Sequence, residues 1–127
     1  MKVSIMQPAY LPWLGYFDRI YKSDLHIILD HVSLDKNSQT KFANRNKIRT
    51  LQGSNWLTVP ILSRGADRDK PIKDILIENS APWRKKHVKS LHYSYCKTPF
   101  FKHYMPFFED IYSSEWKYLS SLNSTIT

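Results

Sequence analysis

Cysteine is nearly absent. Cys96 stands alone in 127 residues, so no internal disulfide framework can form. Glycine is scarce as well, and three glycines in a chain that is 42% apolar exclude collagen-like and low-complexity classes. No apolar run approaches the roughly 18–20 residues of a membrane span, so no membrane insertion is expected. The opening residues lack the basic start, apolar core and small-residue cleavage site of a signal peptide, and a cytoplasmic setting is expected. Neither G-x-G-x-x-G nor G-x-x-x-x-G-K-[ST] occurs, which argues against a dinucleotide or NTPase phosphate loop, and no cofactor is expected. His26, His31, His87, His92 and His103 show no zinc-type spacing, so no metal site is expected.

Acidic residues are the minority. Nineteen Lys and Arg against eleven Asp and Glu give a net charge of +8. The excess falls in two stretches. Lys36, Lys41, Arg45, Lys47 and Arg49 follow one another with no acid between them; Arg84, Lys85, Lys86, Lys89, Lys97 and Lys102 do the same. Such fields draw nucleotides, phosphorylated sugars, RNA or acidic surfaces. They also serve simply as solvated faces, and both readings stand. The first stretch is interleaved with Asn37, Gln39, Asn44 and Asn46, whose amides add directional hydrogen bonds. Aromatic residues at 14% argue against disorder, and the length suits one domain.

Periodicity predicts an α/β fold. Residues 2–6 read as a strand; Pro12 opens a helix carrying Trp13, Leu14, Phe17, Ile20 and Tyr21 at helical spacing; residues 25–29 read as a second, buried strand. Strand, helix and strand predict a right-handed, Rossmann-like βαβ start with a small, mostly parallel sheet. Residues 33–51 read as a loop with a short helix or an extended arm. Residues 56–62 and the Ile72, Ile75, Ile77 alternation read as further strands. From Ala81 the pattern turns helical, with breaks at Pro99 and at Ser114, a candidate cap for a third helix. The expectation is one α/β domain over residues 1–127, sheet-containing over 1–80 and helical over 81–127.

Four groups of residues have the chemistry of a site. Gln7, Tyr10 and Trp13 lie between the first strand and the first helix, stiffened by Pro8 and Pro12, where open α/β sheets place ligands. Asp30 and His31 follow the second strand and pair a carboxylate with an imidazole, the equipment of a general base and its orienter. A strand-ending Asp is equally a turn former. Lys41, Arg45 and Asn46 combine phosphate-clamping cations with an amide. His87 sits four residues after Trp83 on one helical face, either as a ligand contact or as a satisfied core histidine. Cys96, between Tyr95 and Lys97, reads as an ordinary, partly buried thiol.

The segments QPAYLPWLGYFDRI, DLHIILDHV, FANRNKIRT, NWLTVPI and PWRKKHVKSLHYSYCKTPFF resemble, in order and spacing, the WbqC-like family. The likeness runs from Val3 to about Leu122, and its most specific part is the opening QPxYxPWxGY. It marks Gln7, Tyr10, Pro12, Trp13, Gly15, Asp30, Arg45, Asn46, Trp83 and His87 as motif positions. Members of that family are longer, so the chain resembles an N-terminal portion. The resemblance implies a role in O-antigen or related surface-polysaccharide synthesis, with glycyl or acyl transfer to a nucleotide-linked amino sugar as the suggested activity. Aminoacyl-tRNA or another activated acyl donor would then be a partner. Rossmann-like nucleotidylyltransferases are a weaker likeness, because their His-x-x-His signature is missing before His26. The competing expectation is a non-catalytic basic module for RNA or a pathway partner. The sequence leaves the oligomeric state open.

Overall fold

A computed structural model describes residues 1–34, 41–62 and 69–127. Strand β1 (Val3–Met6), helix α1 (Leu14–Tyr21) and strand β2 (Leu25–Ile28) open the chain. The two strands pair in parallel, Val3 opposite Leu25 and Met6 opposite Ile28. A parallel pair needs a crossover, and α1 supplies it. Alternation puts Ser4, Met6, His26 and Ile28 on the inner face and leaves Val3, Ile5, Leu25 and Ile27 outward and exposed. Inside, Ser4 Oγ bonds His26 Nδ1 at 2.7 Å, and the buried Tyr16 ring of α1 meets the His26 ring edge-on at 5.7 Å.

Among the described residues, the parallel sheet is not extended by later strands. Strands β3 (Arg45–Thr50) and β4 (Gly53–Thr58) instead form a separate antiparallel hairpin. The segment read as a loop with a short helix or an extended arm therefore ends in a strand. The signal is the period-2 run Arg45, Lys47, Arg49, which sets cations on one side and Ile48, buried, on the other. Leu51 and Gln52 make the turn, and Gly53 closes it at φ 128°, a conformation that side chains rarely adopt.

The expected strand around Ile72 is a 3-10 turn, Ile72–Asp74, followed by extended residues making single bridges, Ile77 with Ile61 and Leu76 with Tyr118. Ile72 and Ile75 are three apart, so one tight turn buries both, while Ile75 and Ile77 alternate in extended chain. Helices α2 (Trp83–Tyr95), α3 (Phe101–Ser113) and α4 (Leu119–Ile126) complete the chain. Ser114 ends α3 and does not begin α4. The Trp116 indole N–H donates to the Ile111 carbonyl at 2.7 Å, and the Ile77 N–H takes the Lys117 carbonyl at 2.9 Å, which holds the intervening residues out of a helix.

The core lies between the hairpin, the Ile72–Ile77 segment and the three C-terminal helices. Its fully enclosed members include Tyr10, Val59, Leu119 and Leu122. Among the described residues, no helix is long and apolar enough to cross a membrane.

Candidate functional site

The first strand delivers residues 7–12 onto the hairpin, and the contact is built from backbone. Tyr10 N–H donates to the Phe42 carbonyl at 2.9 Å. Asn46 Nδ2 donates to the carbonyls of Leu11 at 2.7 Å and Tyr10 at 3.3 Å. On either side of this junction stands a non-glycine residue in the left-handed region, Leu11 at φ 45° and Lys41 at φ 42°. Each costs about 1–3 kcal/mol and persists only where its surroundings hold it.

Behind the loop is a buried polar chain. Tyr10 Oη lies 2.7 Å from His87 Nδ1 and also hydrogen-bonds Tyr112 Oη. The Thr58 backbone is a further partner of His87. A neutral imidazole has one donor and one acceptor nitrogen, so with an N–H given to the Thr58 carbonyl, Nδ1 accepts the Tyr10 O–H, and Tyr10 accepts from Tyr112. Burial pushes His87 down to about 4. It raises Tyr10 and Tyr112 well above their ordinary range, with the neighbouring Tyr112 adding to the rise at Tyr10. All three are therefore neutral near pH 7. The Trp83 ring meets both the His87 and Tyr112 rings edge-on, at 5.4 and 6.1 Å.

In front of the loop, at the carboxyl end of β1, is a crevice of about 400 Å³. Met6, Gln7 and Ala9 form its floor, Trp13 and Phe42 are its aromatic walls, and Arg19 and Lys41 are its cations. Trp13 is 46% exposed, with its ring 5.6 Å from that of Phe42, which continues to Trp56 at 6.2 Å. Gly15 makes room for this arrangement: a Cβ there would stand 2.9 Å from Trp13 Nε1.

The nine predicted residues thus separate into groups. Gln7, Trp13 and Lys41 line the crevice. Tyr10, Asn46 and His87 support it from behind, with Tyr10 and His87 closed to solvent. Arg45 stacks its guanidinium 4.4 Å from the centre of the Trp56 ring. Asp30 lies just past β2 at the same end of the parallel pair, where Leu29 N–H still bonds the Met6 carbonyl, and its Oδ2 accepts from Ser120 Oγ at 3.0 Å. His31 is exposed beside it. Lys36, Asn37 and Gln39 lie outside the described residues. Cys96 is exposed, not partly buried, because it falls at the C-terminal end of α2 beyond the last buried turn.

Sequence reasoning did not single out Arg19, Phe42, Tyr112 or Ser120. Arg19 was hidden in the polar side of an amphipathic helix, and Tyr112 in an aromatic stripe that reads as core. Among the described residues, no group of three or more His, Cys, Asp or Glu could hold a metal ion.

The WbqC-like protein family matches residues 7–127, beginning at the glutamine of the crevice. The chain belongs to the WbqC-like family. Among curated proteins it is 37% identical over 114 residues to "Uncharacterized protein Rv1507c" of Mycobacterium tuberculosis, which covers 90% of this chain and 47% of that one. The chain therefore spans about half the length of this relative. No solved structure matches it.

Proposed function

We propose that this WbqC-like chain carries the substrate crevice of an enzyme of surface-polysaccharide precursor synthesis. It would bind a nucleotide-linked amino sugar, whose amine attacks the carbonyl of aminoacyl-tRNA or another activated acyl donor, forming an amide with the glycyl or other acyl group while the bond to the donor's carrier breaks and the carrier leaves. The observation that carries this reading is the crevice at the carboxyl end of the parallel pair, with two cations, one amide and two aromatic walls. Arg19 and Lys41 suit a diphosphate, Trp13 and Phe42 suit a flat base or a sugar face, and Gln7 offers a donor and an acceptor to a hydroxyl or amide.

Acyl transfer to an amine needs a base for the proton the amine releases on attack. In this reading Asp30, with Ser120 fixing one oxygen, or the neighbouring His31 takes that role. The Leu11 and Trp13 N–H groups of the loop, whose Tyr10 and Leu11 carbonyls Asn46 holds, are in this reading the donors for the developing oxyanion, since Tyr10 N–H is given to Phe42 and Pro12 has none. Strain at Leu11 and Lys41 supports a functional loop, since unfavourable backbone of this kind clusters at sites of binding and catalysis.

Thermal unfolding with a nucleoside diphosphate-linked amino sugar, its non-amino analogue and the free nucleoside diphosphate tests the proposal. A ligand at about 100 times its Kd stabilises by roughly 2.7 kcal/mol, worth several degrees in a domain of this size. The expected order is amino sugar above analogue above free nucleotide, with the response lost in Gln7→Ala and Arg19→Ala. Equal, negligible shifts with all three ligands would overturn the reading.

A further inference from the structure

Two basic elements of the fold contain no acidic residue. The β3–β4 hairpin and helix α2 pack against each other and contain no Asp or Glu, yet they hold Arg45, Lys47 and Arg49 on β3 and Arg84, Lys85, Lys86 and Lys89 on α2. These two elements are far apart in sequence and meet only in the fold, where β3 turns Ile48 and Thr50 to the junction and Arg45, Lys47 and Arg49 to its other side, so the cations at the junction come from α2. Between them runs an open groove of about 470 Å³. Lys86 and Lys89 lie along one wall, and the Gln52 and Asn55 amides of the hairpin along the other. Tyr93 lines it one helical turn beyond Lys89 and is 72% exposed, a large ring open to solvent beside two lysines. The groove shares no lining residue with the Gln7–Lys41 crevice.

Two lysines from an acid-free helix, side-chain amides and an exposed ring form a specific combination. A lone phosphate needs the cations and has no use for the ring. A double helix hides the flat faces of its bases. A single strand offers both a charged backbone and open base faces, and grooves that bind it pair a basic track with aromatic stacking. We propose that the α2–hairpin groove binds a single-stranded phosphodiester segment, with Lys86 and Lys89 on successive phosphates, Tyr93 stacked on a base, and Gln52 and Asn55 on base or sugar edges. RNA and DNA strands share this chemistry, and a 2′-hydroxyl within reach of the amides distinguishes them.

The test is fluorescence anisotropy with labelled oligo-U and oligo-dT 12-mers on the whole chain over a range of salt concentrations, with inorganic polyphosphate as competitor. Each neutralised phosphate contributes about −0.7 to the log–log salt slope for a single strand, so the two contacts at Lys86 and Lys89 give roughly −1.4. Lys86→Glu is expected to weaken oligonucleotide binding at least about tenfold through loss of a phosphate contact and local repulsion. Lys2→Glu, an equal charge change on β1's flank, is expected to cost little. Tyr93→Ala is expected to lose about five- to tenfold for the 12-mers through lost stacking and to leave polyphosphate inhibition unchanged. A preference for oligo-U identifies the strand as RNA, and one for oligo-dT as DNA. The proposal is overturned by absent or salt-insensitive binding, by equal losses in Lys86→Glu and Lys2→Glu, or by a Tyr93→Ala loss as large for polyphosphate as for the strands. All three substitutions are at exposed positions, so unchanged unfolding temperatures verify that folding is not what is being read.

Discussion

Tyr10 Oη and His87 Nδ1 are 2.7 Å apart across 77 residues of chain, and this bond ties the opening loop to helix α2 from inside the core. Both groups are closed to solvent, so water cannot replace a lost partner. His87→Leu keeps most of the volume but strands the Tyr10 hydroxyl on Tyr112 alone. An unsatisfied buried polar group costs about 1–3 kcal/mol. The expected loss in urea unfolding is about 2 kcal/mol, with an unchanged m-value. A loss below about 0.5 kcal/mol would mean that the bond contributes nothing net.

The same histidine makes stability depend on pH. Its folded value is held down to about 4 by burial, while the unfolded chain titrates near the ordinary 6.5. Between those values the unfolded state binds a proton that the folded state does not. The contribution is thus complete above pH 6.5 and is lost as pH falls to about 4. At one pKa unit per 1.36 kcal/mol, the loss is at most about 3 kcal/mol. His87→Gln removes this proton linkage. Unfolding free energies at pH 7.5 and 4.5 should therefore fall more steeply for the parent than for the variant. Parallel pH profiles would show that His87 titrates normally in the folded protein.

Local periodicity carried much of this fold, and long-range partnership carried the rest. The parallel strands, α1 and the three C-terminal helices follow from apolar spacing within a few residues. The β3 strand was misread because polar residues dominate it, although Arg45, Lys47 and Arg49 alternate as a strand requires. The Ile72–Ile77 segment was misread because a spacing of three and a spacing of two overlap within six residues. The candidate crevice was legible as a loop, since Gln7 and Trp13 adjoin a strand end. Its partners were not: Asn46 reaches the loop from 35 residues away and Tyr112 from 102, and nothing local in either residue announces the contact.

Gly15 governs the outer wall of the crevice. It lies in the first turn of α1, where Ala would ordinarily favour the helix by up to about 1 kcal/mol. Here the added Cβ would meet the Trp13 indole at 2.9 Å, so the ring must swing away from its place beside Phe42. Gly15→Ala is expected to leave stability within about 1 kcal/mol of the parent, because the Trp13 ring is free to move toward solvent. In NMR spectra the Trp13 indole N–H should be the one indole resonance among four that shifts strongly. An unshifted Trp13 signal would show that the ring does not rest over Gly15.

Lys41 holds an unfavourable backbone while lining the crevice, so its backbone and its charge separate by substitution. Ala and Gly both delete the charge and every side-chain contact. They differ in the Cβ, which clashes with the following carbonyl oxygen at φ 42°. Left-handed backbone costs an L-residue roughly 1–2 kcal/mol, partly offset by the greater entropy that Gly loses on folding. Lys41→Gly is therefore expected to be about 1 kcal/mol more stable than Lys41→Ala by chemical denaturation. If Lys41 meets a phosphate, both variants should lose nucleotide-sugar affinity by the same factor, since neither retains the charge. Equal stabilities would show that residue 41 is not left-handed in solution. Affinity retained in both variants would remove Lys41 from the site and leave Arg19 as the crevice's cation. The pair thus reads backbone strain and ligand charge at one position with two independent measurements.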